Sequence, residues 1–141
     1  MSVALGEENA DLVIKGGEII NVLSREIHRS DVAIKGGRIA LVGPADHTIG
    51  KNTKIIDAEN FFLAPGLVDT YIHIEASILT PTQFARAVLP RGVTTVLWEP
   101  LWTANVLGTR GVKFFLEEGD KTPLKFLQLP HQAFRQLLLH S

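Results

Sequence analysis

Two apolar runs flanking a helical pattern constrain this chain more than anything else in it. Leu67, Val68, Tyr71, Ile72 and Ile74 make residues 67–74 near-continuously apolar, as a strand covered on both faces is. Residues 93–98, from Val93 to Trp98, are β-branched and apolar and predict a second buried strand that ends at Glu99 and Pro100. Between them Thr80 is a helix N-cap with Pro81 at the first helical position, and Phe84, Val88 and Leu89 form an apolar stripe that should stop at residues 90–92. Residues 103–118 predict a loop and then a helix, 124–129 a third strand, and 132–140 a short amphipathic helix. Strands and helices alternating at this spacing imply parallel βαβ units.

The first 63 residues follow a different rule. Val13, Ile14, Lys15, Gly16, Gly17 and Ile19 are nearly repeated by Ala33, Ile34, Lys35, Gly36, Gly37 and Ile39. An apolar pair running into two glycines and out again predicts a hairpin turn with positive φ, once in each copy. Two such hairpins, with residues 54–58 and 61–63 as further strands and a polar loop at 45–52, give a small β-sandwich or sheet. Both glycine pairs lie between strands and not before a helix, so plain turns are expected over a phosphate-binding loop.

Composition narrows the function. A 45% apolar, 21% charged chain of net charge −1 is that of a soluble globular protein without a nucleic-acid or acidic-membrane partner. Cysteine is absent, so a metal would need His, Asp, Glu or a modified Lys. No apolar stretch is long enough to span a membrane, and residues 1–10 carry Glu7 and Glu8 without the apolar core of a secretory signal. A cytoplasmic protein with a small-molecule or protein partner is the expectation.

Gly66, Val68, Asp69, Tyr71, His73 and Glu75 form a strand that ends in a His flanked by acids. With the preceding β-domain, this stretch resembles the opening barrel strand of the amidohydrolase superfamily, in which two His one residue apart hold a catalytic metal. The segments around Ile72, His73, Glu75, Ser77, Thr80 and Pro81, then Phe84, Arg86, Val88 and Pro90, then Thr94, Thr95 and Val96, and finally Asn105, Leu107 and Gly108, resemble bacterial and archaeal adenine deaminases. The resemblance runs from about Asp11 to Pro130.

It implies an α/β fold with a small β-sandwich over residues 1–64. The first βα units of a TIM-like (β/α)8 barrel follow over residues 65–130. A whole barrel takes roughly 250 residues, so the barrel here is incomplete. The family activity it implies is hydrolysis of adenine to hypoxanthine and ammonia, with manganese or iron as cofactor and a purine as substrate. Such a site activates water for attack at the amino-bearing carbon and supplies an acid to the leaving amine.

Side chains alternate along a strand, so a His-x-His pair sends two imidazoles to one metal. Here His73 is the second of the pair and the candidate metal ligand, while Tyr71 stands in the first position. A neutral phenol is a poor ligand for these metals. At the second strand's end the family has Asp-Pro-His-Glu, whereas this chain has Glu99, Pro100, Leu101 and Trp102. Glu75 and Glu99 are the candidate catalytic carboxylates, each set against a turn-capping or solvated alternative. Asp69 is expected to anchor backbone, and Tyr71, Leu101 and Trp102 to pack.

The expected metal is therefore not retained by this chain. Residues 131–141 are expected to be a tail read out of frame, because a permitted codon choice near Pro130 restores the family's segment in another frame. Natural truncation and a cloned fragment are the alternatives. The expected reading is an adenine-deaminase-like chain without activity of its own. Its rivals are a non-catalytic binding or assembly module, forming a homo-oligomer through the exposed barrel edge, and a cyclic-amide hydrolase relative.

Overall fold

A computed structural model describes residues 2–129. The chain divides between Pro65 and Gly66 into two compact units. The helix expected over residues 132–140 and the tail 131–141 lie outside the described residues.

The first unit is built on one five-stranded sheet. β1 (Leu12–Asn21) pairs antiparallel with β2 (Glu26–Lys35), which pairs antiparallel with β3 (Arg38–Val42). The other side of β1 is shared by two parallel partners, β4 (Lys54–Asp57) against Leu12 to Lys15 and β5 (Phe62–Leu63) against Glu18 and Ile19. The strands of the expected β-domain thus form a single sheet. Its core consists mostly of small side chains, Val3, Ala10, Val13, Ala33 and Ala45.

The two glycine pairs do different work. Gly36 and Gly37, with φ of 54° and 72°, make the expected turn between β2 and β3. Gly16 and Gly17, expected to turn a hairpin, instead lie inside β1, where the pairing register with β2 shifts between Ile14 and Gly17. Gly16 has φ 72°, and a Cβ on Gly17 would meet Ala58 Cβ at 3.3 Å. This is where the second side of β1 passes from β4 to β5, so the glycines serve a bulge and a close crossing. The β1–β2 reversal falls at residues 22–25, where the Asn21 side-chain oxygen accepts the backbone N–H groups of Leu23 and Ser24.

In the second unit β6 (Leu67–Ile72), β7 (Val93–Trp98) and β8 (Lys125–Gln128) form a parallel sheet in that order. α1 (Pro81–Val88) connects β6 to β7 and α2 (Leu101–Gly119) connects β7 to β8, as the βαβ reading requires. Phe84 and Ala85 of α1, Val112 of α2, Val96 and Trp98 of β7, Ile74 and Leu124 are buried together. The Phe115 ring stacks on Trp98 at 5.2 Å.

Three local expectations change. Thr80 stands at the N-cap of α1 in extended backbone, yet its hydroxyl bonds to the Thr82 hydroxyl and makes no cap bond. α2 begins at Leu101, earlier than expected, and is interrupted at Gly108 (φ 60°, ψ −153°). β6 is not covered on both faces. Leu67, Val68 and Tyr71 are all more than half exposed, and among the described residues β6 pairs with β7 alone.

Candidate functional site

Parallel strands bring their C-terminal ends to one edge of the sheet, so the residues just past β6 and just past β7 come to the same place. The Glu99 N–H donates to Ile72 O at 3.0 Å, which carries the ladder one residue past β7. His73 remains extended (φ −104°, ψ 96°), so Tyr71 and His73 project to one face. Their rings meet edge to face, 5.3 Å between centroids. The Asp69 carboxylate accepts the Tyr71 N–H at 3.2 Å, where the β6–β7 register is irregular, which is the backbone-anchoring part expected of it.

The His73 Nδ1–H donates to the Glu99 carbonyl oxygen at 3.0 Å. A carbonyl only accepts, so the proton sits on Nδ1 and Nε2 is turned toward the cluster. Nε2 lies 3.4 Å from Glu99 Oε2 and 3.3 Å from the Tyr71 hydroxyl oxygen. The Tyr71 hydroxyl donates to Glu99 Oε2. Accepting that bond, and repelling a phenolate, the Glu99 carboxylate holds the Tyr71 phenol above its usual range, with partial loss of hydration adding to the effect. Glu99 is only 7% exposed while the Tyr71 residue is 59% exposed, so the ring lies on the surface and its hydroxyl reaches a buried carboxylate.

Tyr71 is therefore not the packing residue expected, whereas Trp102 does pack, against His73. Tyr71 is a hydrogen-bond donor within the cluster. Trp102, 49% exposed, lays its indole on the His73 imidazole, with centroids 5.3 Å apart and planes within 8°. The Tyr71 position relative to His73 was visible in the period-two spacing, but its Glu99 partner, 28 residues away in sequence, was not. Leu101 is the first residue of α2.

Glu75 has other partners. Its Oε2 accepts the Trp98 indole N–H at 2.8 Å and its Oε1 accepts the Thr103 backbone N–H at 3.1 Å. Pro100, at the N-cap of α2, offers no capping side chain. Glu75 supplies from another element the acceptor that the first turn of α2 needs, and its charge suits that end of the helix.

His73 is oriented as a metal-binding His would be, with Nδ1 held by a carbonyl and Nε2 turned toward a carboxylate oxygen. The rest of the donor set does not fit a divalent metal. The third polar atom is a neutral phenol whose proton is given to the carboxylate, and among the described residues no three His, Asp or Glu side chains gather as a metal shell.

Residues 62–130 match the amidohydrolase family model. The chain is 49% identical over 131 residues to the adenine deaminase of Moorella thermoacetica, covering 92% of this chain and 22% of that protein. The structure of a molinate hydrolase superposes with a TM-score of 0.63 over 86% of this chain and 30% of its own, at 21% identity, a likeness of fold alone. An N-acyl-D-glutamate deacylase from Bordetella bronchiseptica, complexed with zinc and a phosphonate inhibitor, superposes at TM-score 0.50 with 26% identity, over 64% of this chain and 19% of its own. The strand-end His, the βαβ order and these matches agree: residues 62–130 are similar to the amidohydrolase family, and the chain is similar to the N-terminal portion of adenine deaminases.

Proposed function

We propose that this chain supplies the β-unit and opening βα units of an adenine-deaminase-like hydrolase, with a purine bearing an exocyclic amine as the substrate class, and that its own strand-end cluster does not deaminate adenine. The likeness to adenine deaminases supports the substrate class. The observation that carries the second part is the Tyr71 hydroxyl donating to Glu99 at the position where the family places an imidazole. Glu75, bonded to Trp98 and Thr103, is a structural carboxylate in this reading, and Glu99 a buried acceptor.

The test is direct. Purified chain is incubated with adenine, with and without added manganese, and hypoxanthine is followed by chromatography. No product above the chelated control is expected. Manganese-dependent product that disappears in His73→Ala would overturn the proposal.

Exposed Leu67 and Val68 on β6 favour a second reading, an assembly module that covers this edge with another chain. Sedimentation separates the two: a discrete oligomer supports assembly, and a monomer at micromolar concentration sinks it.

A further inference from the structure

The ends of β6 and β7 meet at Tyr71, His73 and Glu99. Ligand atoms about 2.0 to 2.2 Å from one tetrahedral ion lie roughly 3.3 to 3.6 Å from each other. His73 Nε2 is 3.4 Å from Glu99 Oε2 and 3.3 Å from the Tyr71 hydroxyl oxygen. Two sides of this triangle thus have the spacing of a coordination shell. The third is closed by a hydrogen bond, since the Tyr71 hydroxyl donates to Glu99 Oε2.

We propose that Tyr71 stands in for a cation here: its hydroxyl ties Glu99 of the β7 end to the β6 strand, so the cluster holds the two strand ends together without metal, and the single change Tyr71→His turns it into a divalent-cation site. A phenol hydroxyl supplies one proton to a carboxylate that would otherwise be bridged by a metal. Replacing it by imidazole removes that proton donor toward Glu99 and adds a nitrogen on the same strand face as His73. His at positions 71 and 73 with the Glu99 carboxylate would then provide the three protein donors usual in an open metal site. Trp102, stacked on His73, holds the imidazole plane in either case. The inference rests on the family position assigned to Tyr71, but it is read through stability and metal binding, so adenine turnover by the chain and failure of this inference are separate results.

The experiment compares wild type, Tyr71→Phe and Tyr71→His by thermal unfolding in EDTA and in zinc or manganese, with dialysed metal content measured in parallel. Wild type should melt at one temperature in all three conditions. Tyr71→Phe should melt lower than wild type and remain indifferent to metal. Tyr71→His should gain zinc after dialysis and melt about 5 °C higher with zinc than in EDTA. A wild-type melting temperature that rises with metal and falls with EDTA would overturn the proposal, as would Tyr71→Phe melting with wild type. If Tyr71→His does not fold, the wild-type and Tyr71→Phe melts still decide whether the phenol replaces the cation. A folded Tyr71→His that takes up no zinc overturns the latent site.

Discussion

The Trp98 indole N–H donates to Glu75 across 2.8 Å, and the other oxygen of the same carboxylate accepts the Thr103 N–H at 3.1 Å. One side chain thereby joins a buried strand residue to the first turn of α2. Glu75→Ala removes a helix cap, about 1 kcal/mol, and strands a buried indole N–H, about 1 to 3 kcal/mol more. Loss of about 2 to 4 kcal/mol in urea unfolding of the second unit is expected, and Glu75→Gln should recover at least half of it. A Glu75→Ala variant as stable as wild type would show that the carboxylate is not structural.

The positive φ of Gly16 inside β1 makes the bulge testable apart from the turn. Gly16→Ala and Gly37→Ala both force a Cβ into left-handed backbone, at about 1 to 2 kcal/mol each. Gly37→Asn should recover most of its loss, because Asn tolerates this conformation in an open turn. Gly16→Asn should not, since any Cβ there also meets the Arg29 guanidinium at 3.3 Å. Chemical denaturation of the four variants checks this, and equal recovery at both sites would contradict the bulge.

A charged cluster in the first unit should shape its pH dependence. Lys35 Nζ lies 3.0 Å from Asp11 and 3.2 Å from Glu8, and the Gly36 N–H also donates to Asp11 at 2.8 Å. The Gly36 bond, then Lys35, holds the Asp11 carboxyl below its usual range, and the Ser2 hydroxyl, then Lys35, does the same for Glu8. Both acids in turn raise Lys35. The carboxylates are harder to protonate folded than unfolded, so their contribution is complete above about pH 4 to 5 and is lost as pH falls through the lowered values. The lysine contribution is complete below about pH 10 and lost above it. The stability difference between wild type and Lys35→Met, small because the groups are exposed, should be level at neutral pH and shrink on both sides. A difference unchanged down to pH 2 would contradict the cluster.

The βαβ half of the fold was legible because its signals are local. Residues 93–98 matched β7 residue for residue, and Gly92, with φ 86°, ends the turn after α1 as the Pro90 to Gly92 signal indicated. What could not be read was tertiary. The two Gly-Gly copies look alike in sequence, and only the crossing of residues 58–61 past β1 makes the first a bulge. An apolar strand such as β6 does not announce whether a neighbour covers it. At the site, His73 and Glu99 were found from their strand-end positions, whereas the bonds that assign Tyr71 to Glu99 and Glu75 to Trp98 join residues 28 and 23 apart.

The central claim is that the β6–β7 strand end is closed by a phenol–carboxylate–imidazole cluster and not by a metal. Elemental analysis of the wild-type chain, purified without chelator or metal-affinity steps and then dialysed, measures this most directly. The account predicts far less than one equivalent of manganese, iron or zinc per chain. One tightly bound equivalent, lost together with the fold's stability in His73→Ala, would contradict it.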